Sequence, residues 1–358
     1  MMSIETRTIN EITPALQDDF LEYALKHGFG DLHFKVDSAT GMKAIIAIHS
    51  TKLGPALGGC RFIEYPNTAS AIEDAMRLAR GMSFKAASVN LPLGGGKAVI
   101  IKPKEPFDRE AYFHAFGKFI DELNGRYITA LDSGTLLSDM DIISGHTNYV
   151  ASLSHHNGDP SPYTAKGIFR GIQAAVEFKT GKDHLRGLHI AIQGLGHVGY
   201  ALAGHLHEAG AKLTVADVNS TLVNNAVNAF GATAVASDVI HKVACDVFAP
   251  CALGAIINDY TINQLQTTII AGAANNQLAH RYHGQLLHDQ GILYAADYII
   301  NAGGLIYAAS KYLHTHEDDV NQQINSIGAS LTEIFARSQR ENRPASEIAD
   351  TLAQEKLA

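Results

Sequence analysis

The chain has 358 residues, of which 46% are hydrophobic and 18% are charged, and its formal net charge at pH 7 is -8 with neutral histidines. This composition excludes intrinsic disorder of the whole chain, and it argues against a protein that binds nucleic acid through clustered cations. No apolar run approaches the ~20 residues that a membrane-spanning helix needs. At roughly 150 residues per domain, the length predicts two domains.

Signals for other classes of site are weak. Residues 1–10 contain no apolar segment of the signal-peptide type, so we expect a cytoplasmic protein. The three cysteines, Cys60, Cys245 and Cys251, are too few for a disulfide framework in a chain of this size. The 18 histidines show no spacing that predicts convergent metal ligands. We therefore expect no metal site and mostly solvated histidine side chains.

In the first part of the chain, strand and helix signals alternate. Residues 42–49 indicate a buried strand, and a helix follows whose cap lies among residues 67–70. A short strand is predicted at residues 98–101, and a further helix at residues 112–123. The three glycines at 94–96 are interpreted as a loop that another group approaches closely, because glycine has no Cβ.

The polar segment 152–162 is the candidate domain boundary, since it contains one glycine and two prolines. Beyond it, short apolar runs alternate with helical segments, which is typical of a parallel, doubly wound sheet. These predicted strands cover residues 188–192, 213–216, 243–249, 269–271 and 292–294. A long closing helix is predicted over residues 320–335, and the sequence does not indicate what it packs against.

The sequence GLGHVG follows one of these strands and places glycines at Gly194, Gly196 and Gly199. In a dinucleotide-binding unit such glycines permit a tight turn, close approach of the pyrophosphate and close packing of helix on strand. Asp217 follows Gly199 by 18 positions, where a carboxylate would bind a ribose diol and repel a 2′-phosphate. The pattern predicts NAD rather than NADP. The alternative is a plain strand-to-helix turn, with Asp217 as a solvated strand end.

Two lysines and one aspartate could carry acid–base chemistry. Lys85 and Lys97 lie twelve residues apart, and Asp132 stands between a strand-like run and a Ser-Gly turn. A lysine that packs against apolar walls or beside another cation loses proton affinity and can act as a base. Taken singly, such residues are more often surface or turn residues. The chemistry therefore requires that the three converge in space.

Eight stretches together resemble the glutamate/leucine/phenylalanine/valine dehydrogenase family, and they occur in the order of that family. They are LGPALGGCR (53–61), RGMSFKAA (80–87), LPLGGGKAVI (91–100), GRYITALDSG (125–134), IQGLGHVGY (192–200), CDVFAPCALGAIIND (245–259), IIAGAANNQL (269–278) and YIINAGGLI (298–306). The resemblance implies NAD-dependent oxidative deamination of an L-amino acid to a 2-oxo acid and ammonia, and the reverse reductive amination. It also implies a homo-oligomer, either a dimer or an octamer.

The resemblance orders the domains as well. It implies an N-terminal α/β domain for substrate binding, catalysis and oligomerisation over residues 1–152, and a Rossmann-type NAD-binding domain over residues 153–335. The active site would lie in the cleft between them. The C-terminal helical segment, residues 336–358, is not assigned to either domain.

Residue roles follow by position in the matching stretches. Lys85 would hold the substrate α-carboxylate, and Gly58 and Gly59 would let the backbone approach it. Lys97 would activate the water that attacks the iminium carbon, and Asp132 would exchange a proton with the amino nitrogen. We expect Lys97 to titrate below a free lysine, while Lys85 stays charged as the partner of the carboxylate.

The resemblance also implies the cofactor contacts. Asn275 or Asn276 would orient the substrate or the nicotinamide, and the residues alone do not separate them. The implied cofactor-binding residues are Thr164, Gly194, Gly196, His197, Val198, Gly199, Asp217, Ala249, Pro250 and Cys251.

One position bears on the choice of amino acid. Glutamate-specific members carry a lysine where this chain has Leu57, so an apolar substrate side chain is favoured. Ala130, Leu305 and Ala308 are the other implied pocket residues, although Leu305 and Ala308 replace two expected valines. We predict a branched-chain substrate, L-leucine first. The alternatives are phenylalanine or another aromatic amino acid, and a catalytically silent relative that binds NAD or amino acids.

Overall fold

The computed structural model describes residues 20–154 and 159–358. Residues 1–10, where no signal peptide is predicted, and residues 155–158 of the predicted boundary segment lie outside the described residues. Two β-sheets, one of five strands and one of six, organise the described part, so the predicted α/β fold class is confirmed. No described helix combines the length and the apolar character needed to cross a bilayer.

The helices and strands follow one another along both sheets. The strands are β1 (Asp31–Asp37), β2 (Met42–Ser50), β3 (Ala56–Ile63), β4 (Gly94–Ile101), β5 (Tyr127–Leu131), β6 (His189–Gln193), β7 (Lys212–Ala216), β8 (Thr233–Ala234), β9 (Cys245–Pro250), β10 (Thr267–Ile270) and β11 (Leu293–Tyr294). The helices are α1 (Phe20–His27), α2 (Thr68–Ser88), α3 (Arg109–Glu122), α4 (Leu137–Ser144), α5 (Ser161–Thr180), α6 (His197–Glu208), α7 (Ser220–Phe230), α8 (Tyr282–Asp289), α9 (Asp297–Ile300), α10 (Gly303–Leu313), α11 (Glu317–Glu341) and α12 (Ala345–Leu357).

The first sheet has the strand order β1-β2-β4-β3-β5 and is mixed. β1 and β4 pair antiparallel with β2, whereas β4, β3 and β5 are parallel. The small and apolar face of α2, which includes Ala75 and Met76, packs with Val99 on one side of the sheet. Phe113 and Phe116 of α3 pack on the other side. The layered core fixes β3, β4 and β5 side by side, and these strands carry the predicted site residues.

The second sheet has the order β11-β10-β9-β6-β7-β8, and each of these strands pairs parallel with its neighbours. From β6 the chain adds β7 and β8 toward one edge of the sheet, and it then adds β9, β10 and β11 toward the other edge. The point at which the strand order reverses therefore lies between β6 and β9. Ligands of doubly wound sheets bind outside the carboxyl ends of the strands at this switch point. The predicted doubly wound sheet is therefore confirmed, and its expected ligand edge lies at the end of β6.

The three glycines at 94–96 form the first part of β4, so the expectation of a loop there is wrong. A Cβ at Gly94 would overlap the carbonyl oxygen of Ser50 in β2. A Cβ at Gly95 would overlap the backbone nitrogen of Ser83 in α2. Close packing of β4 against its neighbouring strand and helix therefore accounts for these two glycines.

The closing helix α11 packs against α5, a partner that the sequence did not reveal. Small residues make this contact close, since a Cβ at Gly171 would lie 2.9 Å from the Leu331 side chain. The last helix, α12, contacts both α2 and α8, and Lys356 Nζ donates a hydrogen bond to the Ala87 carbonyl at 3.2 Å. The predicted domain limits stay a prediction.

Several histidines are buried, so the expectation of solvated side chains is wrong for them. His283 is fully buried, and its Nε2 is 3.1 Å from Asp259 Oδ1. His49 and His241 are also buried. Burial lowers the pKa of His49 to about 4 and also lowers the pKa of His241, so these two rings are neutral near pH 7 and suit core positions. Within residues 20–154 and 159–358, no three His, Cys, Asp or Glu side chains are grouped to hold a metal ion.

Candidate active site

A cavity of about 640 Å³ lies between residues of the first sheet and residues of the second half of the chain. It brings together twelve of the residues that the sequence singled out. They are Leu57, Gly58, Gly59, Lys85, Lys97, Ala130, Asp132, Thr164, Val198, Asn275, Leu305 and Ala308. The convergence on which the acid–base hypothesis depends is therefore present in the structure.

The first half of β3, residues 57–59, lines the cavity. Gly58 and Gly59 are buried there and lie beside Thr129 and Ala130 of β5. A Cβ at Gly58 would overlap the Gly96 carbonyl oxygen of β4. The buried Tyr127 hydroxyl donates a hydrogen bond to the Gly58 carbonyl at 2.6 Å. Glycine is required because neighbouring strands pack directly on this backbone.

Lys97 and Asp132 form an ion pair in the cavity. Lys97 lies in β4 and is only 7% exposed, and its Nζ contacts Asp132 Oδ2. The Ser133 backbone N–H donates to Asp132 Oδ1 at 2.7 Å. Burial alone would raise the pKa of Asp132, but the Lys97 cation and these hydrogen bonds outweigh it and hold the pKa below its usual range. The pair can therefore exchange protons while shielded from bulk water.

Lys85 projects from the last turn of α2 into the same cavity. Burial lowers the pKa of Lys85 to about 8, Asp297 opposes this shift, and the nearby Lys97 cation adds to it. We expected Lys85 to stay charged, and burial instead brings its pKa close to neutral pH. A substrate carboxylate beside Lys85 would favour its protonated form.

The second half of the chain contributes polar groups to the cavity. Asn275 lines it, and Asn301 Nδ2 donates to Asn275 Oδ1 at 2.7 Å. Asn276 is not among the described lining residues, and its backbone has a φ of 52°. Asp297 accepts hydrogen bonds from the backbone N–H groups of Gln277 and Tyr298, at 2.9 and 2.7 Å. Of the two adjacent asparagines, Asn275 is therefore the one that faces the cavity.

Sequence reasoning missed several lining residues. Among these are Met82, Leu137, Asn301, Tyr307 and Lys311. Asn301 lies within the matching stretch at residues 298–306, so that motif could have drawn attention to it. Met82 lies one helical turn before Lys85, and this spacing is a signal for a shared helix face.

The glycine turn after β6 leaves room for an anion at the start of α6. Gly194 has a φ of 94°, which favours glycine, and a Cβ at Gly199 would overlap the Gly194 carbonyl oxygen. At Gly196, in contrast, no described atom lies within 4 Å of where a Cβ would stand. Close packing at Gly199 and open space at Gly196 fit a dinucleotide pyrophosphate against the helix N-terminus.

Asp217 directly follows the neighbouring strand, β7, and is partly exposed. Its Oδ2 accepts the Leu195 backbone N–H at 2.6 Å, and its Oδ1 accepts that of Asn219 at 2.8 Å. These bonds hold the carboxylate beside the glycine turn. Carboxylate oxygens have further acceptor capacity, so Asp217 can also accept from ribose hydroxyls.

The remaining predicted cofactor residues lie around the same edge without lining the described cavity. Ala249 and Pro250 end β9 and are buried, and the Cys251 backbone N–H donates to Gln193 O at 2.7 Å. Burial raises the pKa of the Cys251 thiol to about 12, so this thiol is not a nucleophile. The His197 side chain is 84% exposed, and its Nδ1 is 3.6 Å from Asp159 Oδ2.

A glycine-lined helix terminus on a doubly wound sheet, next to a cavity with a buried lysine–aspartate pair, is the arrangement of a nucleotide-dependent dehydrogenase. Residues 30–149 match the family model described as Glu/Leu/Phe/Val dehydrogenase, dimerisation domain. Residues 217–358 match the model described as Glutamate/Leucine/Phenylalanine/Valine dehydrogenase.

Individual relatives agree with these family models. The chain is 49% identical to the leucine dehydrogenase of Bacillus subtilis (strain 168), over 95% of this chain and 94% of that protein. It is 48% identical to the leucine dehydrogenase of Geobacillus stearothermophilus, over 95% and 93%. The crystal structure of L-tryptophan dehydrogenase from Nostoc punctiforme matches with a TM-score of 0.87 and 42% identity, covering 94% of this chain and 98% of that one. The chain belongs to the glutamate/leucine/phenylalanine/valine dehydrogenase family and is an amino acid dehydrogenase, a class that uses a nicotinamide cofactor.

Proposed function

We propose that this enzyme catalyses the NAD-dependent oxidative deamination of L-leucine and related branched-chain amino acids, and the reverse reductive amination. The observation that carries the proposal is the meeting of Lys85, Lys97 and Asp132 in one cavity that also contains apolar side chains. The identity of 49% to a leucine dehydrogenase supports leucine as the first substrate.

Each part of the amino acid has a matching group. Lys85 and the backbone at Gly58 and Gly59 hold the α-carboxylate, which places the amino group toward the Lys97–Asp132 pair. The substrate side chain then packs against Leu57 and its apolar neighbours. The side-chain carboxylate of glutamate would be buried beside Leu57, which carries no positive charge to pair with it. This burial would cost several kcal/mol, so glutamate is disfavoured.

Lys97 and Asp132 divide the proton transfers. Thr164 and Val198 line the cavity and would border a bound nicotinamide, which would supply the hydride acceptor. Asp132 accepts a proton from the substrate ammonium group, which makes the amine lone pair available when the Cα–H bond breaks. Lys97 takes a proton from the water that attacks the resulting iminium carbon. Asp132 then returns its proton to the nitrogen of the carbinolamine that forms. The C–N bond breaks, the hydroxyl group gives its proton to the departing ammonia, and the products are the 2-oxo acid and ammonium. The proton that Lys97 took from water is released to solvent.

An initial-rate screen with Leu, Ile, Val, Phe, Trp and Glu tests this function, each with NAD⁺ and with NADP⁺. We expect the highest kcat/KM with leucine and NAD⁺. If an aromatic amino acid is the best substrate, the branched-chain assignment is wrong. The screen includes Trp because the structure of an L-tryptophan dehydrogenase matches this chain with a TM-score of 0.87. No activity with any of the six would contradict the proposed enzyme.

The choice of NAD rests on Asp217. The change Asp217→Ser keeps a hydrogen-bond acceptor for the backbone but removes the charge that repels a 2′-phosphate. We expect the ratio of kcat/KM for NAD⁺ to kcat/KM for NADP⁺ to fall by about tenfold or more. Kinetics with both cofactors measure this ratio. An unchanged ratio would show that Asp217 does not select the cofactor.

The depressed pKa of Lys85 predicts how carboxylate binding depends on pH. The inhibitor 4-methylpentanoate has the carboxylate and side chain of leucine but no amino group. Because Lys85 attracts it only when protonated, the inhibition constant should rise with pH above about 8. In the variant Lys85→Arg the cation persists, so this rise should disappear. The same rise in both proteins would assign the pH dependence to another group.

We also propose that the protein is cytoplasmic and that it forms a homo-oligomer, either a dimer or an octamer. β1 is an edge strand of the first sheet, and Phe34 and Val36 on it are 55% and 70% exposed. An edge strand with exposed apolar side chains favours pairing with another copy of the chain.

A further inference from the structure

Arg61 lies directly beside the Lys97–Asp132 pair, and no step of the proposed mechanism uses it. It stands near the end of β3, and its Nε is 3.8 Å from Asp132 Oδ2. The Arg61 side chain is only 21% exposed. In the part of the chain that the structure describes, this Nε is a buried donor that makes no hydrogen bond. A buried cation with an unused donor next to a reactive carboxylate calls for a functional explanation.

The main chain fixes Arg61 next to Asp132. The Phe62 backbone N–H donates to the Ser133 carbonyl at 2.9 Å. The Thr135 hydroxyl, on the same turn as Asp132, donates to the Cys60 carbonyl at 3.2 Å. These bonds on both sides of Arg61 join the end of β3 to the segment that follows β5. The proximity of the two side chains is therefore a property of the backbone.

The far side of the guanidinium is held by a second carboxylate. Arg61 Nη1 donates to Asp74 Oδ2 at 2.7 Å, and the Tyr65 hydroxyl donates to the same oxygen at 2.7 Å. Arg77 Nη2 donates to Asp74 Oδ1 at 3.0 Å from the solvent side. Burial alone would raise the pKa of Asp74, but these three donors hold it below its usual range. Arg61 therefore bridges an anchoring carboxylate, Asp74, and a reacting one, Asp132.

We propose that Arg61 is a positioning residue for Asp132, whose orientation and negative charge it maintains while Lys97 exchanges protons. This inference rests on the proposed function, since it needs Lys97 and Asp132 to be the acid–base pair. When Lys97 is neutral, it no longer contributes a positive charge to the carboxylate. The guanidinium does not lose its proton in proteins, so its charge beside Asp132 is constant through the reaction.

Other titratable groups also face the pair, namely Lys85 of α2, Cys60 of β3 and Tyr127 of β5. Burial raises the pKa of the Cys60 thiol to about 12 and that of the Tyr127 hydroxyl as well, so neither titrates near neutral pH. Lys85 and Arg61 are therefore the neighbouring cations, and Arg61 is the one that can be changed without removing a carboxylate-binding group.

The test is the pH profile of kcat/KM for leucine deamination. In Arg61→Met the neighbouring cation is lost, which favours the protonated form of the Lys97–Asp132 pair whichever member carries the proton. We expect the acid limb to move upward by about one pH unit, which is about a tenfold loss of rate at a fixed pH on that limb. Arg77→Met is the matched control, because Arg77 also bonds Asp74 but is exposed. It should leave the limb in place.

Two further variants keep the test decisive if Arg61→Met folds poorly. Arg61→Lys keeps the charge, so the limb should stay near its original pH while kcat falls. Asp74→Asn removes a negative charge beside Arg61, so the limb should move to lower pH. An acid limb that is the same in Arg61→Met and Arg77→Met would overturn the inference, as would shifts of the same sign in Arg61→Met and Asp74→Asn.

The variant Asp132→Asn separates this inference from the proposed function. Loss of deamination in Asp132→Asn, together with an unmoved limb in Arg61→Met, contradicts only the role of Arg61. Full activity of Asp132→Asn contradicts the proposed function itself. Circular dichroism and thermal unfolding of every variant show that it is folded at the assay temperature.

Discussion

In the variant Lys97→Met, deamination of leucine should fall by a factor of about 10³ or more. Methionine keeps most of the volume of the lysine side chain, so the change removes a base rather than a packing group. Lys97 is 7% exposed and contacts Asp132, and solvent therefore cannot easily replace it. Steady-state kinetics over a range of leucine concentrations at saturating NAD⁺ measure the loss, and because the transition state is affected, kcat should fall with kcat/KM.

The control is Lys102→Met, one residue beyond the end of β4. Lys102 is exposed, and it should retain the original rates because its ammonium group is in solvent. Binding of NAD⁺ should be unchanged in both variants, since the proposed cofactor-binding residues lie in the second half of the chain. A Lys97→Met enzyme that deaminates leucine at the original rate would remove Lys97 from the mechanism.

The variant Gly58→Ala should lose at least about 3 kcal/mol of the free energy of unfolding, or fail to fold. The added Cβ would overlap the Gly96 carbonyl oxygen, which is a backbone atom of β4 and has no rotamer to change. Relief requires that β3 and β4 separate, and both strands carry site residues. Urea unfolding followed by circular dichroism measures the loss, and leucine binding should weaken with it.

Gly81→Ala is the matched control. Gly81 is in the interior of α2, and no described atom lies within 4 Å of the position of its Cβ. Alanine is a better helix former than glycine, so this variant should gain about 0.5–1 kcal/mol of stability. Equal stability of Gly58→Ala and Gly81→Ala would mean that the contact between β3 and β4 can relax freely.

Local sequence features were sufficient for the dinucleotide-binding half, but not for the main cavity residues. The glycine turn at 194–199 and the strands around it depend on short-range patterns, and they occur in the structure as predicted. Lys85, Lys97 and Asp132 are separated along the chain, so their convergence required the family resemblance. The structure then places all three against one cavity.

Features that depend on distant neighbours could not be derived from the sequence. The glycines at 94–96 indicate close approach, but only the packed sheet shows that the approaching groups are Ser50 and Ser83. Arg61 has no distinctive pattern, because its partners, Asp74 and Asp132, come from a helix and from a turn after another strand. The packing of α11 against α5 could not be predicted either. The amphipathic pattern of a helix indicates which face is buried, but it does not indicate which other helix packs against that face.

The contact between Lys356 and the Ala87 carbonyl has a consequence for biosynthesis. It joins positions 269 residues apart, and Ala87 belongs to the helix that carries Lys85. A ribosome must therefore extend the chain past residue 356 before this end of the helix gains that partner. Such long-range closure slows folding, and we expect the end of the cavity that contains Lys85 to form late.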